Sequence, residues 1–193
     1  MELKRICVYC SSAAGKSNPV VDGEIRSFGR ELARRAITLI YGGSSRGLMG
    51  GLADEVLAAG GKVIGVIPKA LESREAAHRT LTELKVVGTM HEREQLLFDL
   101  ADGFVAFPGG FGTMEEVIEM LTWKQLGIHG KPIVFANIGG YFDPLLKQFD
   151  LAIQHKYARP EDKILYAVAE NTEAILTFLE GAPILSRRPG DWA

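Results

Sequence analysis

The sequence predicts an α/β protein with a Rossmann-like, doubly wound, mostly parallel sheet of about seven strands and helices on both faces. Three observations predict it. Short apolar runs rich in Val, Ile and Phe alternate with longer stretches of helical period, which is how strands buried by crossover helices are written. Small-residue or glycine-rich turns follow three of those runs, at the positions where such sheets hold ligands. Finally, 193 residues with 47% apolar and 24% charged side chains suit one domain with one sizeable core.

The first strand is expected over 5–10 and the first helix over 19–35. Cys7 and Cys10 on that strand spell C-x-x-C, but residues three apart face opposite sides of a sheet. The chain has 2 cysteines, too few to complete a tetrahedral thiolate site, so neither redox nor metal chemistry is expected of them. A strand at 37–41, a helix at 47–59 and strands at 62–67 and 83–87 follow. Then come a helix at 90–101, a strand at 103–107, a helix at 113–127 and a strand at 132–136. Asp143 before Pro144 reads as the N-cap of a helix over 142–155. A strand at 164–169 and a helix near 171–180, capped by Asn171, complete a domain over 1–185; a loosely ordered tail is expected at 186–193.

Composition excludes several function classes. With 22 Lys plus Arg against 24 Asp plus Glu, the formal charge of -2 leaves no footprint for a nucleic-acid backbone, although a loop can still hold a small anion. No run approaches the ~18 apolar residues of a membrane span, so a cytoplasmic, membrane-free protein is expected.

The three turns are Ser11–Gly15, Tyr41–Gly50 and Pro108–Glu116. Neither glycine loop has the G-x-G-x-x-G or Lys-Ser/Thr spacing of dinucleotide and triphosphate sites. Both suit an anion all the same: glycine lets the backbone approach a ligand, and the amides opening the next helix point at it. Two such loops on one sheet edge favour a nucleotide or sugar phosphate. Thr113-Met114-Glu115-Glu116 matches a T-x-x-E capping box, which by itself would explain Glu116. The adjacent Glu115 argues for more, since two carboxylates beside a phosphate loop repel the anion unless one serves the sugar, as in glycoside hydrolysis.

These motifs resemble the LONELY GUY (LOG) family of cytokinin riboside 5'-monophosphate phosphoribohydrolases, long labelled lysine decarboxylases. The resemblance spans nearly the whole chain: Cys10-Ser11-Ser12, Tyr41-Gly42-Gly43, Gly47-Leu48-Met49-Gly50, the run from Val63 to Lys69, Arg74-Glu75, Met90-His91-Glu92-Arg93, Pro108 to Glu116, and Thr122-Trp123. It implies hydrolysis of the N-glycosidic bond of adenine-type nucleoside 5'-monophosphates, without metal or cofactor, by a homodimer. Carried over by position, Arg93 and Glu116 resemble the catalytic pair. Glu75, Met90, Gly109, Gly110, Phe111, Gly112, Thr113, Met114, Glu115 and Thr122 resemble substrate-binding positions. One departure stands out: the family usually continues H-x-R-K, whereas Glu94 follows Arg93 here. Either the reversal bears on the substrate, or the position faces solvent.

Glu116 is expected to steady the positive charge that builds on the ribose, with Arg93 supporting the departing base or aligning Glu116. The phosphate is expected on the amides of Gly109 to Thr113, with Gly42, Gly43 and Gly47 lining the facing wall. The alternative is a nucleotide or molybdenum-cofactor carrier on the same fold, which binds without cleaving. A pyridoxal-phosphate decarboxylase is a third reading, for which no lysine is singled out. His91 reads as a helix-start residue, and His78, His129 and His155 lack companions at metal spacing. The helix over 113–127 puts Met114, Val117, Ile118 and Leu121 on one face and Met120 and Trp123 on another; a second subunit or a deeper core would cover the second stripe.

Overall fold

Strand β1, Arg5–Tyr9, lies at the middle of the sheet because its Ile, Cys, Val and Tyr side chains find cover on both faces. In the computed structural model, which describes residues 3–13, 15, 18–72 and 76–181, seven parallel strands run in the order β4-β3-β2-β1-β5-β6-β7. Glu75 and the expected tail at 186–193 lie outside the described residues. The other strands are β2 (Thr38–Tyr41), β3 (Val63–Pro68), β4 (Glu83–Val87), β5 (Gly103–Ala106), β6 (Ile133–Ala136) and β7 (Ala167–Ala169). The chain moves outward from β1 to β4, then returns to lay β5 on the other side of β1. This reversal opens a crevice at the carboxyl ends of β1 and β5.

Helices α1 (Pro19–Arg34), α2 (Gly47–Ala58) and α6 (Thr172–Gly181) cover one face, and α3 (Met90–Leu100), α4 (Phe111–Gln125) and α5 (Asp143–Gln154) the other. Alternation along β1 sends Ile6, Val8 and Cys10 into the first core layer and Cys7 and Tyr9 into the second. The two cysteines therefore stand on opposite faces, both buried and free. Burial above all raises both thiols far beyond their ordinary range, so neither is a thiolate at neutral pH. Among the described residues, no helix is long and apolar enough to cross a membrane.

Most expected elements form within a residue or two, and the differences have local causes. Helix α4 starts at Phe111 rather than Thr113, with Gly110 as its N-cap and no side-chain cap, so Thr113 and Glu116 lie inside the helix and form no capping box. Residues 160–165 form a 3-10 turn instead of the start of β7. Pro160 opens it, and the buried Asp162 accepts from the Arg159 N–H at 3.0 Å and from Gln125 Nε2 at 2.8 Å. Asp143 is the first residue of α5, not its cap, and its carboxylate accepts from Asn137 Nδ2 at 2.8 Å. Asn171 caps α6 as expected, accepting from the Ala174 N–H at 2.9 Å. Met120 and Trp123 belong to the core: Met120 is fully buried, and Trp123 meets Phe98 edge-on at 5.1 Å. Of the two covers considered for that stripe, the core supplies it.

Candidate active site

The floor of the crevice is backbone, with the Ser11 N–H donating to Pro108 O across the ends of β1 and β5 at 3.3 Å. Two helices bring side chains onto it. Thr89 caps α3, accepting from the Glu92 N–H at 3.1 Å, and this places Arg93 in the first turn, pointing inward. Glu116 comes from the second turn of α4. Both are 4% exposed, and Arg93 Nη2 lies 3.4 Å from Glu116 Oε1. Arg93 Nη1 is 3.9 Å from Met90 Sδ, while its buried Nε has no hydrogen-bond partner among the described residues.

Two glycines make this approach possible. A Cβ on Gly42 would fall 2.1 Å from Arg93 Nη2, so the guanidinium rests directly on the backbone of the turn after β2. A Cβ on Gly109 would fall 2.1 Å from Thr113 Oγ1 and 3.0 Å from the Ser11 nitrogen, so the loop after β5 can close against both.

The pair opens into a cavity of about 170 Å³ bounded by Ser11, Ser12, Met49, Gly110, Gly112 and Thr113. A second chamber of about 570 Å³ shares Ser11, Ala13 and Gly110 with it and extends toward Val21, Ile25, Leu48 and Tyr141. The smaller chamber alone is below the usual size of a ligand pocket, so a nucleotide-sized guest reaches beyond it. Next to Glu116 the interior is kept neutral: burial, assisted by that carboxylate, pushes the Tyr9 phenol and the Cys7 thiol up.

Of the residues expected at a site, the structure gathers Gly42, Arg93, Gly109, Gly110, Gly112, Thr113 and Glu116 around the crevice. Gly47 lines the larger chamber. Met90, 39% exposed, stands beside Arg93, and Met114 is half-buried on α4. A Cβ on Gly43 would fall 3.2 Å from Ile67 of β3, so this glycine lets the turn after β2 pack on the neighbouring strand. Phe111 is 93% exposed and Glu115 is exposed. Thr122 is also exposed and donates its hydroxyl to Ile118 O at 2.9 Å, so it stands outside the crevice of its own chain.

One grouping was not foreseen. Carboxylate oxygens of Glu94, Glu115 and Glu119 all lie within 4.8 Å of one another where α3 meets α4. Burial first, then the neighbouring Glu94, raises the carboxyls of Glu115 and Glu119 above the usual range. The i,i+4 spacing of Glu115 and Glu119 was a signal in the sequence; the approach of Glu94 needed the helix pairing. His129 is buried, its Nε2 2.9 Å from Met120 O and its Nδ1 accepting the Lys131 N–H at 3.1 Å. His78 lies 3.0 Å from Asp54, and His91 is exposed.

The fold and this crevice define an α/β protein with a buried acid–guanidinium pair at the strand-order reversal of a parallel sheet, flanked by two glycine loops. Residues 49–179 match the family model described as "Possible lysine decarboxylase". The chain is 42% identical to cytokinin riboside 5'-monophosphate phosphoribohydrolase LOG of Oryza sativa subsp. japonica, over 93% of this chain and 74% of that one. It is likewise 42% identical to LOG7 of Arabidopsis thaliana, a protein of the same description, over 92% of this chain and 81% of the other. Among solved structures, the molybdenum cofactor carrier protein of Chlamydomonas reinhardtii superimposes with a TM-score of 0.68 at 21% identity, over 93% and 96% of the two chains; this likeness is one of fold. The chain belongs to the LONELY GUY family of phosphoribohydrolases.

Proposed function

We propose that this protein is an N-glycosyl hydrolase that releases the free base and ribose 5-phosphate from adenine-type, cytokinin-like nucleoside 5'-monophosphates, AMP among them. The observation that carries this reading is the Arg93–Glu116 pair, buried at 3.4 Å beside the start of a helix that no side chain caps, where helix-opening amides suit a phosphate. Relatives over 40% identical that bear the phosphoribohydrolase name support it.

In this reading the 5'-phosphate sits on the amides of Gly109 to Thr113, with Gly42, Gly43 and Gly47 on the facing wall. As the C1'–N bond breaks, its electron pair leaves with the base and positive charge develops across C1' and the ring oxygen. The Glu116 carboxylate faces that charge and holds the ribose hydroxyls. A water then adds to C1', and its proton offsets the one taken up by the base. Arg93, permanently charged, fixes the carboxylate and donates toward the departing base. Glu75, Met90, Phe111, Met114, Glu115 and Thr122 complete the substrate contacts. No lysine lines the crevice among its described residues, and the buried Lys124 lies in the last turn of α4, some 20 Å along the helix axis from its start. This geometry does not favour a Schiff-base decarboxylase.

The proposal includes a homodimer in the cytoplasm. Phe111, Ile118 and Leu126 form an exposed apolar stripe along α4, next to an apolar groove lined by Leu121, Phe149 and Tyr166. A second copy over this stripe would shield it and bring Thr122 to a site.

The test is chromatography of free base after incubation with AMP and N6-substituted analogues, using the unphosphorylated nucleosides as controls. Base release that requires the phosphate is expected, falling at least about a hundredfold in Glu116→Gln and Arg93→Ala. Equal rates in wild type and both variants would end this reading.

A further inference from the structure

Among its described residues, the crossover from β3 to β4 carries no helix, unlike most connections between parallel strands. Its later part folds back on the turn after β2. The His78 N–H donates to Gly43 O at 2.9 Å, the Ser45 N–H and Oγ donate to Ala76 O at 3.0 and 2.6 Å, and Ser44 pairs with Ala77 in an antiparallel bridge. Ala76 has a φ of 47°, a left-handed conformation costly for a residue with a Cβ, and these bonds hold it there.

The far end of the strap is anchored by one buried ring. His78 is 6% exposed, with Nε2 3.0 Å from Asp54 Oδ1 on α2 and Nδ1 3.3 Å from Thr80 Oγ1. Neither His78 nor Asp54 borders either chamber of the crevice. Yet the backbone that His78 grips continues directly into Gly42, against which the Arg93 guanidinium rests. Gly42, the Met90 sulfur and Glu116 are among the groups that locate the Arg93 guanidinium.

We propose that His78, docked on Asp54, is a positioning residue that holds the Gly42–Gly43 turn against Arg93 and thereby sets the Arg93–Glu116 geometry. The kinetic part rests on the hydrolase reading; the mechanical part does not. Loss of the anchor lets the turn drift, Arg93 follows, and the carboxylate is presented to the sugar less often in its working orientation.

The experiment compares wild type with His78→Ala, Asp54→Ala, the double variant and His78→Gln, whose amide can still donate to Asp54. Each single alanine variant is expected to lower kcat about tenfold with KM within about twofold, because a small misplacement costs rate before it costs affinity. The double variant is expected to lose no more than either single one, and His78→Gln to recover most of the rate. In parallel, the Arg93 Nε–H resonance in a ¹⁵N spectrum is expected to move in both alanine variants and return in His78→Gln. Asp54, with a side chain 67% exposed, keeps the test open should His78→Ala fail to fold. Unchanged kcat in a folded variant, or losses that multiply in the double variant, would overturn the proposal. If wild type releases no base from any monophosphate, the hydrolase reading falls, and the Arg93 resonance alone decides: movement upholds the linkage, an unmoved signal ends it.

Discussion

At the scale of single residues, the Arg93–Glu116 pair dominates the chemistry. Two charges that are 4% exposed tolerate burial because each answers the other, and breaking a buried pair by removing one member is costly. Arg93→Ala should therefore lose about 3–5 kcal/mol of stability as well as activity, read from urea unfolding, whereas Glu116→Gln keeps a hydrogen-bond acceptor for Arg93 and should lose less. Gly42→Ala is the complementary probe. Its Cβ would lie 2.1 Å from Arg93 Nη2, the movable end of a long side chain, so the fold is expected to survive while kcat drops at least about tenfold. A kcat equal to wild type would show that the guanidinium need not rest on that turn. Glu94 belongs to a crowded group of three carboxylates. Glu94→Lys replaces a repulsion by an attraction worth about 1 kcal/mol, so the Tm at pH 7 should rise by about 2–4 °C.

Among the elements, α4 carries most of the function, and its far end carries a pH dependence. His129 meets Met120 O through Nε2 and the Lys131 N–H through Nδ1, an arrangement satisfied by the neutral ring protonated on Nε2. Burial, the largest cause, pushes its pKa down to about 4 from 6.5. The unfolded chain therefore binds the proton first as pH falls. Stability contributed by the neutral ring is full above about pH 6.5 and is lost between there and about pH 4, on the order of 3 kcal/mol. Urea unfolding across that range should show this slope, and His129→Asn should flatten it. The same helix shows what periodicity leaves undecided. T-x-x-E at Thr113–Glu116 satisfies the pattern of a cap, yet the helix begins two residues earlier because Gly110 already supplies an extended cap residue. A two-residue shift moves Glu116 from a solvated end to a buried turn.

For the whole molecule, the apolar stripe of α4 is a feature that a lone chain leaves uncovered. If a second copy covers Ile118, light scattering will give twice the 21.0 kDa chain mass, and Ile118→Arg will return it to a single chain with its secondary structure intact. A wild type already at 21.0 kDa at micromolar concentration would remove the dimer from the proposal. Strand positions and the glycine turns were legible in the chain because burial on both faces and tight backbone approach leave only a few residue types eligible, as at Ile6–Tyr9 and Gly109-Gly110. Arg93 and Glu116 were legible as family motifs. Their burial as a pair, the resting of Arg93 on Gly42, the gathering of Glu94 with Glu115 and Glu119, and the His78 anchor were not. Each joins residues from separate elements, and their separation is set by how α2, α3 and α4 settle on the sheet. Alternation and turn chemistry are local and so can be written in neighbouring residues; the distance between two charges on different helices is a property of the assembled layers, and only the tertiary structure decides it.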